Sequence, residues 1–137
     1  MYRMTHSPTE VLRVELESWR KELSWSREAL AQHVLEVHEA IGAESATEIR
    51  FQSGGDTYTA MRTNAVRLFR WLSGDADAPA LPADMLPTLL TSLPMDRRLR
   101  AAVAMLGDIA DLAITPRAHG AGDLKPLEML AQATKET

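Results

Sequence analysis

The sixteen residues Thr59–Gly74, TAMRTNAVRLFRWLSG, constrain the fold more than any other stretch, because they read as one helix with two chemically different faces. At about 100° per residue, Met61, Ala65, Leu68, Phe69 and Leu72 gather on one side. Arg62, Thr63, Val66, Arg67 and Arg70 gather on another, with Asn64 and Trp71 at the far border. The apolar side needs a core built by other elements, so Phe69 and Leu72 are expected to be buried.

The rest of the chain supplies more helices. Thr9 to Leu23 repeats Leu12, Leu16, Trp19 and Leu23 at helical spacing, with Ser7 as a cap, Pro8 at the first position and Glu10 near the positive end. A second helix carries Leu30, Val34, Val37 and Ile41 on its apolar stripe, is capped by Ser24 or Ser26, and stops at Gly42. Residues 43–56 break the periodicity, with a possible extended piece at 47–51 and a turn at Ser53–Asp56. Asp56 or Thr57 then caps the helix quoted above. A short helix begins near Asp84, with Pro87 tolerated in its first turn. A fifth presents Leu99, Ala102, Val103, Leu106 and Ala110. The pattern predicts an all-α protein with helices near 8–23, 25–41, 57–73, 84–92 and 96–113. A terminal amphipathic helix is expected at 124–133 through Leu127 and Leu130. Residues 75–82, with two prolines and two aspartates, read as a linker between a 1–74 unit and an 83–137 helical segment suited to self-association.

Bulk properties narrow the function. The 137 residues contain no cysteine, which excludes a disulfide framework and a thiolate metal site. No stretch approaches a membrane span or a signal peptide, so a cytoplasmic location is expected. The net charge is −4, unlike a protein that coats nucleic acid indiscriminately. Charge is unevenly spread, however. Residues 8–48 carry four basic and nine acidic side chains, a net −5, whereas residues 50–74 carry four arginines against Asp56, a net +3. A local basic patch on an acidic chain suits site-specific DNA contact.

Chemistry-bearing motifs are few. His33 and His38 are five apart and do not share a helical face, so no metal is expected. No nucleotide-binding or nucleophile motif is present, GGDTYTA at 54–60 reads as a turn and cap, and no catalytic constellation appears. An enzyme and a cofactor are therefore not expected. The second and third helices, with the arginine face, suggest a helix-turn-helix in which Arg62, Thr63, Arg67 and Arg70 bind DNA. Arg62 and Arg67 suit base edges, and Arg70 suits a phosphate or a structural ion pair. Asn64 lies off that stripe, and Trp71 is read as packing on a neighbouring helix. A surface helix with solvating arginines fits these residues equally well, and the fourteen-residue connection exceeds the usual three- or four-residue turn. Arg97, Arg98 and Arg100 oppose the dipole of the fifth helix, which suggests a phosphate contact or, more simply, a solvated face balanced by Asp96.

The ordered set I49-x-F51, D56, N64-x-x-x-L68-F69-R70-W71-L72, followed by L81-P82-A83, P87-x-L89-L90, L93-P94 and L99, resembles the YdaT family of prophage-encoded proteins. The likeness runs over roughly 10–113 and is sharpest at 48–100. The family is described as a bacterial toxin domain. The resemblance implies a fold similar to the helical repressor and POU-type DNA-binding domains, and a role like that of the lambda CII transcription regulator. CII-like proteins carry an Arg-Trp pair near the end of the recognition helix, comparable with Arg70–Trp71. The expected function is a sequence-specific regulator that acts on double-stranded DNA as a homo-oligomer and is toxic when misexpressed. The competing expectation is a non-enzymatic interaction module that blocks a host process without touching DNA, its arginine face meeting an acidic partner.

Overall fold

Ser7 accepts a hydrogen bond from the Glu10 amide and starts α1, Pro8–Glu22, with Pro8 at its first position. In the computed structural model, which describes residues 1–117, every regular element from there on is helical. Ser26 rather than Ser24 caps α2, Arg27–Ala40, by accepting from the Ala29 amide. The four-residue α3, Ala43–Ala46, follows the left-handed Gly42 (φ 77°). Asp56 caps α4, Thr57–Ser73, which ends on the left-handed Gly74 (φ 69°). A 3₁₀ turn at Ala83–Met85 leads into α5, Leu86–Ser92. The final rod is α6, Met95–Ala102, a π-helical turn at Val103–Gly107 and α7, Asp108–Ala110. Among the described residues there is no strand, and residues 47–51 run as irregular backbone. The helix expected at 124–133 lies outside the described residues.

One core joins these elements. α2 packs most extensively on α4, while α1 lies against α4 and α6, and α5 against α2. Leu12, Leu16, Leu30, Val34, Leu68, Leu72, Met85 and Leu89 are fully buried at its centre. Each such side chain contributes about 1.5–3 kcal/mol of transfer free energy. Residues on both sides of the 75–82 connection share this core, through Leu93, Ala101 and Met105.

Three apolar stripes differ from the sequence reading. On α2 the buried set is Leu30, Ala31, Val34, Leu35 and His38, while Val37 is half-buried and Ile41 is exposed. His38 takes an interior position because both ring nitrogens are paired: Nε2–H donates to the Ile49 carbonyl (3.0 Å), and Nδ1 pairs with the Thr88 hydroxyl (2.8 Å). On α4 the buried set is Asn64, Ala65, Leu68, Trp71 and Leu72. Leu72 is buried as expected, but Phe69 is only half-buried, with the Arg27 guanidinium 4.7 Å from its ring centroid. In the last rod Arg97, Ala101 and Met105 face inward, leaving Leu99 and Ala102 half-buried and Val103, Leu106 and Ala110 exposed.

Arginines tie the elements together. Arg13 donates to the Leu72 and Ser73 carbonyls (3.0 and 2.9 Å), meeting the unpaired carbonyls at the end of α4. A Cβ at residue 74 would stand 3.4 Å from the Arg13 guanidinium and would require a left-handed backbone, so Gly74 suits the site twice over. Arg97 bridges Glu15 (3.1 Å) and Glu22 (2.9 Å) of α1, and Arg100 forks onto Glu15 (2.9 and 3.1 Å). Arg98 donates to the Leu90, Thr91 and Leu93 carbonyls at the end of α5. These three arginines act as struts: Arg97 is buried, Arg98 is half-buried, and Arg100 stays exposed while it holds Glu15.

Two outcomes test this packing. Leu68→Ala should destabilise by about 2–5 kcal/mol, and Phe69→Ala by clearly less, in urea unfolding; equal losses would contradict the rotation of α4. The hydrogen bond from Arg100, with help from Arg97, holds the Glu15 carboxyl below its ordinary pKa. A depressed folded-state pKa adds stability that is present above the unfolded value and lost as pH falls through the folded one. Stability should therefore fall on acidification below the ordinary carboxylate range, and Glu15→Gln should flatten part of that fall.

Candidate functional site

Asn64 decides which face of α4 meets solvent. Its side-chain oxygen accepts from the Gln52 amide and its NH₂ donates to the Gln52 carbonyl, both at 2.9 Å. The side chain is 2 % exposed, so this pairing turns an otherwise costly buried amide into a fixed anchor. The same contact seats the 47–56 segment against α4. Ile49 and Phe51 insert into the core beside it. The Phe51 ring meets His38 edge-on (5.3 Å between centroids) and Trp71 at a steep angle (6.3 Å, 78°). Trp71 thus packs inward, as its type suggested.

Arg67 closes this cluster from outside. Its guanidinium lies 5.4 Å from the Phe51 centroid and 4.8 Å from that of Trp71, and it donates to the Arg50 carbonyl. Arg50 itself donates to the Glu44 and Thr47 carbonyls. Two of the four arginines in the basic segment are therefore occupied with holding the loop.

What remains outward on α4 is Thr57, Tyr58, Thr59, Arg62, Thr63, Val66 and Arg70. Five of them, Tyr58 through Val66, line one shallow trough along the helix. Of the four residues singled out in the sequence, Arg62, Thr63 and Arg70 are on this face, and Arg67 stands at its edge, turned to the loop. Sequence reasoning missed Tyr58, although it lies one turn before Arg62 and the spacing 58, 62, 66, 70 was available. The Arg62 guanidinium is 5.9 Å from the Tyr58 centroid, a weak attraction at an exposed site. No side chain among the described residues pairs with the Arg70 guanidinium. At the start of the helix the Asp56 carboxylate accepts from the Thr59 hydroxyl (2.6 Å) and amide (3.1 Å). The hydroxyl first, then the amide, lowers the Asp56 pKa and keeps this cap ionised. The face offers two guanidinia that make no hydrogen bond among the described residues, hydroxyl and phenol groups, and one bare isopropyl group.

Among the described residues no three His, Asp or Glu side chains gather as metal ligands would. His33 lies in a ring cluster with Trp19 and Trp25, and its Nε2–H donates to the Ser92 carbonyl (2.9 Å). No described helix is long and apolar enough to cross a membrane.

The chain matches the family model described as "Bacterial toxin ydaT" over residues 11–137, and it belongs to that family. Membership supports a toxin-related function. No curated protein and no solved structure matches the chain.

If Asn64 anchors the loop, Asn64→Ala should lower stability by about 1–3 kcal/mol and speed tryptic cleavage after Arg50. Cleavage at the wild-type rate would show that the loop is held by other contacts.

Proposed function

We propose that this member of the ydaT family is a prophage-encoded, sequence-specific regulator that binds double-stranded DNA in the cytoplasm as a homo-oligomer, without catalysis, and is toxic when misexpressed. The observation that carries the reading is the outward face of α4. Arg62, Thr63 and Arg70 stand on one side of a two-sided helix whose other side is locked by α1, α2 and the loop. An exposed helix of this kind fits a major groove, where Arg pairs with guanine and Thr with several base edges. α2 packs more extensively on α4 than any other helix does, which suits the supporting helix of a helix-turn-helix, and in this reading the anchored loop stands in for the usual short turn. Arg67, though engaged with the Arg50 carbonyl, stands at the edge of the same face and adds to its attraction for phosphates.

One such helix reads few bases, and regulators of this type gain specificity from a symmetric partner. Val103, Leu106, Ile109 and Leu112 are each 45–61 % exposed near the end of the described chain, which favours self-association there. The same apolar side chains also favour the second reading, a module that occupies a host protein.

Selection from random duplexes at moderate salt separates the two. The regulator reading expects an enriched sequence. Arg62→Ala should then cost about 1–3 kcal/mol and relax one position, while Arg70→Ala should weaken all sequences alike and reduce the salt slope by about one. Light scattering should give a mass above the monomer. No enrichment, with residual binding indifferent to both substitutions, would replace the regulator with the interaction module.

A further inference from the structure

Val66 is the one outward residue of α4 that has no polar group to offer. It is 58 % exposed, in the middle of the face, one turn after Arg62 and one turn before Arg70, with Thr63 beside it. Neither burial nor helix propensity accounts for it. An exposed isopropyl group gains little from folding, and a β-branched residue is a weaker helix former than the alanine or arginine such a position accepts. Scattered exposed apolar residues are ordinary. Val66 differs in being framed by hydrogen-bond donors and in lining the trough with Tyr58, Thr59, Arg62 and Thr63.

We infer that Val66 is a specificity-determining residue that recognises the 5-methyl group of a thymine in the major groove. The inference rests on the reading of α4 as the recognition helix and names part of what that helix reads. The thymine methyl is the apolar feature among major-groove base edges, and apolar side chains are its partners. The residues that frame Val66 set the register. Four residues span about 6 Å of helix, a little under two base steps of about 3.4 Å. The thymine therefore stands within about two base pairs of the guanine that Arg62 contacts. Arg62 supplies the polar discrimination, and Val66 supplies discrimination that a guanidinium cannot, between thymine and an unmethylated pyrimidine.

The test uses the full chain and the duplex enriched from a random pool, with each thymine in turn replaced by deoxyuridine, which removes only the methyl. For wild type, one replacement should weaken binding about fourfold, the ratio that corresponds to about 0.8 kcal/mol for one methyl-sized group taken from water. For Val66→Ala, whose helix content is checked by circular dichroism, the same replacement should be silent, and its affinity for the thymine duplex should match that of wild type for the deoxyuridine duplex. A selected sequence in which no replacement matters, or one in which the loss persists in Val66→Ala, overturns the assignment of Val66 and leaves the regulator intact. Failure to enrich any sequence overturns the regulator and the assignment together.

Discussion

Two hydrogen bonds between the Asn64 amide and the Gln52 backbone fix the orientation on which the rest of this surface depends. An amide buried to 2 % exposure must be paired, because leaving it unsatisfied costs about 1–3 kcal/mol. The pairing forces α4 to turn its 64, 65, 68, 71, 72 side inward. It also brings the irregular 47–56 segment alongside, with Ile49 and Phe51 in the core and His38 gripping the Ile49 carbonyl from α2. Arg67 covers the seam. A connection far longer than an ordinary turn is thereby made part of the framework that carries the outward face.

Arginine serves two purposes in this chain, and the difference lies in what each guanidinium can reach. Arg13, Arg20 and Arg98 stand near helix ends or turns, where carbonyls lack intrahelical partners, and they supply the missing donors. Arg97 and Arg100 meet Glu15 across the α1–α6 contact, with a fork geometry that lysine would not reproduce. Arg62 lies mid-helix and Arg70 in the last turn of α4; both are exposed, and among the described residues no carboxylate pairs with either. The contrast supports reading them as groups kept for a ligand.

Local signals in the sequence located much of the fold. Ser7, Ser26, Asp56 and Gly74 mark helix boundaries through caps that depend on three or four neighbouring residues. Periodicity found α1, α2 and α4 and the approximate extent of the later helices. Non-local pairing is what escaped it. A helical wheel treats polar residues as outward, so it put Asn64 at a border, His38 off the apolar stripe of α2 and Arg97 at the surface. Each is interior because its partner lies on another element: Gln52, Thr88 with Ile49, and Glu15 with Glu22. Once Asn64 and Trp71 claim the inside of α4, Phe69 must swing partly out and Arg67 must meet the loop. Arg62, Thr63 and Arg70 remain outward because they lie opposite that rotation.

The 47–56 segment and α4 form one body whose outward face is set by Asn64. Hydrogen exchange at the Gln52 amide tests this most directly, since that N–H has Asn64 as its partner and lies outside every helix. That amide should exchange only through the opening that also releases core amides of α4 such as Leu68, with a similar free energy. Exchange of the Gln52 amide at the rate of an unstructured chain, while α4 stays protected, would contradict it.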